Sequence, residues 1–167
     1  PWYIPLAAGI IAILSKHIIK INQRHIFNPA VFGLLCVILV FNATIEWWAS
    51  QILWLVIIFG IFMMYKMRNY YLISSYLLTN IILSLAYHLT TKSFTLKTLL
   101  FSTNLFFMFF MLVEPITSPR TKKAKIIYGT ITALTSFLVL LFLPKYEPSI
   151  FALIIANLFV PLLNKLQ

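Results

Sequence analysis

Acidic side chains are almost missing. Three glutamates, Glu46, Glu114 and Glu147, and no aspartate stand against thirteen Lys and Arg in 167 residues. Charged residues of both signs make up only 10% of the chain, too few to cover a globule in water. The shortage of carboxylates also removes most enzyme chemistry. Each Glu falls at the end of an apolar run, and no Ser-His-acid or Cys-His set stands in plausible register, so no catalytic residue is assigned. The one cysteine, Cys36, lies inside an apolar run, where it has no second cysteine to pair with and packs as a small side chain. His17, His25 and His88 lack metal-ligand spacing and fall toward opposite ends of the apolar runs, so neither metal nor haem is expected. The opening stretch runs straight into a full-length apolar segment and does not read as a cleavable signal peptide.

What remains is hydrophobic. Such residues form 62% of the chain, which makes it an all-α integral membrane protein. A spanning helix needs about 20 mostly apolar residues. Seven segments qualify or come close: 2–19, 29–45, 47–65, 70–89, 97–113, 126–143 and 149–163. The net charge of +10 sits in the connections, so it points to lipid and not to nucleic acid. If all seven cross, Lys16, Lys20, Arg24, Lys66, Arg68, Arg120, Lys122, Lys123, Lys125 and Lys165 share one side and leave three lysines on the other. If the short segment 29–45 only dipped in and returned, the bias would become six against seven. The positive-inside rule therefore favours seven crossings of the cell membrane, N-terminus outside and C-terminus cytoplasmic, with Trp47, Trp48, Tyr65, Tyr70 and Tyr71 near the interfaces.

An internal repeat organises the chain. PAVFGLL from Pro29 aligns with PSIFALI from Pro148, and GIIAIL from Gly9 with GTITAL from Gly129. Five spans separate the copies, so they enter from opposite faces, an inverted-topology repeat with sites expected near the repeat interface. Residues 1–45 then form the last two helices of a first repeat, and 46–167 a complete second repeat of five. The whole of 1–167 is one membrane domain, expected to be the C-terminal part of a ten-helix, 5+5 fold.

Some residues carry site chemistry. Asn28 can cap a helix that Pro29 starts, and the same helix N-terminus offers N–H groups to an anionic or carbonyl-bearing ligand. Glu114 stands at a membrane boundary, where a carboxylate pairs with Lys or Arg or belongs to an ion pathway. Asn157 lies well inside the last span, and Ser74, Ser75, Thr79, Asn80, Ser84, Ser102, Thr103 and Asn104 concentrate polarity in two others. They are read as helix-to-helix hydrogen bonds or as the lining of a polar pathway. Lys16, Lys20 and Arg24 recur every four residues and would share a helical face that anchors on anionic lipid. Phe106, Phe107, Phe109 and Phe110 are read as lipid-facing, with ring stacking on a cofactor as the other reading.

The motifs HIFNPAVFGL, MFFMLVEPITSP, KIIYG and IANLFVPL resemble the NQR2/RnfD family, the B subunit of the sodium-translocating NADH:quinone reductase and the D subunit of the Rnf electron-transport complex. The resemblance implies a fold similar to urea transporters. It also implies a membrane subunit, not a self-contained enzyme, that carries electrons through flavin and is coupled to sodium or proton translocation among other membrane and redox subunits, with quinone as a further partner. On the same basis Asn28, Thr117 and Ser118 are candidate cofactor-binding residues for FMN or another flavin, held without a covalent bond or absent. Members that attach FMN covalently do so at the Thr of a Ser-Gly-Ala-Thr-like motif in a long loop. Here that loop has shrunk to FNATIEWW, in which Thr44 follows Ala43 without the Ser-Gly. The family usually has Asp where Glu114 stands. The alternative is a flavin-free channel or transporter-like relative that passes a small solute or ion between the repeats.

Overall fold

The structure, a computed structural model, describes residues 1–21, 23–47, 51–91 and 104–166, with the backbone alone at 90 and 91. Among them are six α-helices: α1 (Tyr3–Ile18), α2 (Pro29–Phe41), α3 (Leu53–Lys66), α4 (Tyr70–Thr91), α5 (Lys122–Phe142) and α6 (Pro148–Leu163). A π-helical segment covers Phe107–Met111. Predicted span positions 48–50 and 97–103, which include Trp48, Ser102 and Thr103, lie outside the described residues.

Among the described residues the expected all-helical chain carries one exception. Lys20–Ile21 and Arg24–His25 pair as a two-residue antiparallel hairpin, β1 and β2, turned by Gln23 at a positive φ of 66°. This breaks the expected basic helical face. Helix α1 stops at Ile18, so Lys16 ends a helix while Lys20 and Arg24 sit on opposing strands.

Local chemistry sets the helix limits. The Asn28 side chain accepts from Val31 N at 3.1 Å and Pro29 opens α2. At the other end Asn42 turns left-handed, φ 52°, so the helix stops at Phe41 and the run predicted to continue to 45 leaves it. Thirteen residues reach about 20 Å, short of a hydrocarbon core of about 30 Å. Thr121 caps α5 by accepting from Ala124 N. Two helical stretches, Tyr70–Leu89 and Lys122–Phe142, are long and apolar enough to cross a membrane; α1, α2, α3 and α6 are apolar and shorter.

Close backbone approach decides which helices pack. A Cβ on Gly33 of α2 would run into the Ala8 carbonyl oxygen of α1. A Cβ on Gly129 of α5 would fall 2.5 Å from the Leu72 carbonyl oxygen of α4, against Ser75. Helix α5 is thus held between α4 and α6, and α6 also packs on α2. Gly60 of α3 lies under the Phe109 ring of the π segment. Phe107 and Phe109 are buried, and Phe106 and Phe110 stack at 5.1 Å between centroids, so the cluster read as lipid-facing is largely interior. Two of the polar residues of α4 bond within their own helix and not between helices, and Thr132 of α5 does the same. Ser75 donates to Leu72 O, Asn80 to Tyr76 O and Thr132 to Tyr128 O, each satisfying itself on its own helix.

Candidate functional site

The chain reversals gather at two ends of the bundle. One end collects the hairpin, the start of α2, the α3–α4 turn, residues 112–121 and the tail after α6. Side chains tie these segments together. Asn69 Nδ2 donates to Val113 O at 3.0 Å, Lys125 Nζ to Arg68 O at 3.0 Å, and Arg120 N to Asn164 Oδ1 at 3.0 Å. The other end holds Tyr3 against Phe41, ring centroids 5.9 Å apart, and Trp47 against Phe106.

The first end carries the candidate site. The π segment unwinds at Leu112, and Glu114-Pro115-Ile116-Thr117-Ser118-Pro119 turns the chain toward α5. Pro115 and Pro119 cannot extend the ladder, which is why a helix ends and a tight turn follows. Ser118 N closes that turn on Glu114 O at 3.0 Å, and Thr117 Oγ1 donates to Glu114 Oε2 at 2.8 Å. His25 of β2 approaches from the hairpin, its Nε2 3.5 Å from Glu114 Oε1. That separation permits charge attraction, yet the atoms are not aligned as a hydrogen bond. Thr117 and Ser118 are buried, while Glu114 and His25 are half-buried.

Asn28 faces the same segment, its Nδ2 donating to Met111 O at 3.5 Å. Its Oδ1 is occupied by Val31 N, and its own carbonyl by Phe32 N at 2.9 Å. Since Pro29 has no N–H, the start of α2 leaves the exposed Ala30 N–H as its donor to a ligand. One oxygen of a phosphate, flavin or quinone fits there; a cradle of several N–H groups does not. The following chain carries oxygens: the Glu114 carboxylate, and the carbonyls of Met111 and Val113, which accept from Asn28 and from Asn69, whose buried Oδ1 has no hydrogen-bond partner among the described residues. Such acceptors at an unwound helix end suit a cation.

Four of the six residues singled out from the sequence, Asn28, Glu114, Thr117 and Ser118, are therefore neighbours around one turn. Thr44 is not among them. It is exposed in the irregular stretch after α2, at the far end of that helix from Asn28. Asn157 lies inside the bundle, where its Oδ1 accepts from Tyr128 Oη at 2.6 Å. Sequence reasoning missed His25, Asn69 and Tyr128 as participants. Counting crossings puts Asn69 at the same membrane face as Glu114, a signal that was there to use. Among the described residues no three of His, Cys, Asp and Glu cluster as metal ligands.

No curated protein matches the chain. The family model described as NQR2, RnfD, RnfE matches residues 47–167, a stretch that holds Glu114, Thr117, Ser118, Tyr128 and Asn157 and stops short of Asn28 and Thr44. With apolar helices throughout and a match over well more than half its length, the chain is a membrane protein that belongs to the NQR2, RnfD, RnfE family.

Proposed function

We propose that the chain serves an electron-transport complex as a flavin-dependent membrane subunit and couples electron transfer to the movement of sodium or protons. Family membership supports the complex. The observation that carries the coupling is the turn at Glu114, whose carboxylate lies 3.5 Å from His25 Nε2 just after the Met111 and Val113 carbonyls that accept from Asn28 and Asn69. Flavin, when bound, supplies the one- and two-electron chemistry. The chain contributes position and polarity: Ala30 N–H and the Asn28 amide for one flavin oxygen, buried Thr117 and Ser118 to keep water from the turn, and Glu114 to hold the cation. Thr44 stands at the other end of α2, so a flavin attached there would be separate from one at Asn28.

The proposal includes seven crossings with the Glu114 end cytoplasmic, and a ten-helix inverted repeat in the natural protein. The like starts of α2 and α6, each with Pro in its first turn, and their mutual packing support it. The purified complex should show flavin absorbance, and Glu114→Gln should lower cation transport into proteoliposomes while electron transfer persists. Colourless complex that carries a small solute across liposomes would establish the second reading, a flavin-free channel or transporter relative. The shortened loop around Thr44 favours that reading. Mass spectrometry of the Thr44 peptide decides the covalent form, since an unmodified mass removes it.

A further inference from the structure

Three fully buried polar side chains lie at one depth on neighbouring helices. Tyr76 is six residues into α4, Tyr128 six residues into α5, and Asn157 six residues before the end of α6, all counted from the Glu114 end. At 1.5 Å per residue that depth is about 9 Å. Each of the three has 0% exposure. The helices are in close contact at this level, for the site beside Gly129 where a Cβ would sit is 3.0 Å from Tyr76 N.

Their hydrogen bonding is incomplete in a specific way. The 2.6 Å bond from Tyr128 Oη uses Asn157 Oδ1 and fixes the amide, so Nδ2 points elsewhere. That Nδ2 has no hydrogen-bond partner among the described residues, and neither has Tyr76 Oη. A helix bundle in lipid has no bulk water to satisfy such groups, which makes them costly unless something polar is bound.

The chemistry of the unpaired groups selects what that is. Asn157 Nδ2 carries N–H donors whose partial positive charge repels a metal cation. An unpaired anion is costly inside a bundle in lipid. A neutral molecule that both accepts and donates remains, and water is the smallest. We propose that Asn157 Nδ2 binds an internal water within the α4–α5–α6 packing, next to the Tyr128–Asn157 bond. The site extends the polar end of the bundle about 9 Å inward from the Glu114 turn. It goes beyond the flavin reading and does not depend on it.

Hydroxyl-radical footprinting by X-ray radiolysis of the purified, membrane-reconstituted complex tests this, because bound water produces the radical where it sits. After correction for intrinsic ring reactivity, Tyr128 should be labelled severalfold faster than Phe109, which is packed under α3 and slightly more exposed at 8%. Labelling of Tyr128 at or below the Phe109 rate overturns the proposal. The wild-type comparison stands even if a variant misfolds. Asn157→Leu should remove the excess at Tyr128 and leave exposed Trp54 unchanged; retention of the excess also overturns it. Exchange of choline chloride for sodium chloride should leave Tyr128 labelling constant, and protection by sodium would show a cation site instead. None of these readings involves flavin or electron transfer, so they fail or succeed apart from the functional proposal.

Discussion

In the pair α1–α2 the crossing is made by Gly33 against Ala8 and Ala12. In α5–α6 the aligned positions are Ala152, Tyr128 and Thr132, and all three are buried to 0% exposure. The first copy is made of backbone and methyl groups, the second of hydroxyls and an interhelical Tyr–Asn bond. The helices that precede the prolines differ further. Gly129 is pressed against α4, whereas Gly9, its counterpart, meets nothing within 4 Å, and Ile13, opposite the buried Ala133, is 58% exposed. A repeat written in the sequence thus specifies the helix pair, while a neighbour on the second face decides which small residues are structural. The two N-termini diverge as well: Asn28 caps α2 through its side chain, and Glu147 does not cap α6 but accepts from Ser149 Oγ at 3.0 Å.

Substitutions at matched positions can break this comparison. The largest effect is expected for Gly129→Leu, whose side chain would enter the α4 backbone; overpacking costs about 1–3 kcal/mol, and this site belongs at the top of that range or above. Thermal unfolding of the reconstituted chain measures it, and Gly9→Leu in the same background should change the midpoint little. Equal losses at the two glycines would show that α1 is covered on both faces. Gly33→Leu should follow closely behind Gly129→Leu, because Ala8 O blocks it. Tyr128→Phe and Asn157→Leu come next, at about 1–3 kcal/mol each for a stranded buried group. A double-mutant cycle should return a loss well below the sum, and additive losses would mean that the 2.6 Å bond contributes nothing. The smallest effects concern the caps. Asn28→Ala should cost about 1 kcal/mol, and Glu147→Ala only a few tenths.

The prolines, the cap at Asn28 and the turn after Glu114 were legible because they depend on a few adjacent residues with fixed backbone preferences. The contact of Asn28 with Met111, just before Glu114, was half legible, since counting crossings puts both at one face but says nothing of distance. The hairpin was not. Its residues Lys20 to His25 continue the spacing of α1, and nothing in that spacing shows that Ile19 leaves the helix at ψ 85°. The inward packing of Phe107 and Phe109 escaped for a different reason. A run of Phe has the same composition whether it meets lipid or Gly60, and only the partner glycine 49 positions earlier distinguishes the two. Tyr128 and Asn157 were each visible as residues, but their bond joins separate helices 29 positions apart.

Cations at the bundle ends find their partners in rings and carbonyls. Lys66 lies over Phe62 at 5.7 Å, Lys122 over Tyr71 at 5.5 Å, and Lys125 donates to Arg68 O, while the one ion pair among the described residues is His25 with Glu114. Because neutral groups hold these lysines, their formal charge is not cancelled within the fold. Added salt should then act on the two properties unequally: it weakens attraction to anionic headgroups, which operates across solvent, and leaves helix packing, which rests on contact between apolar surfaces, nearly as it was.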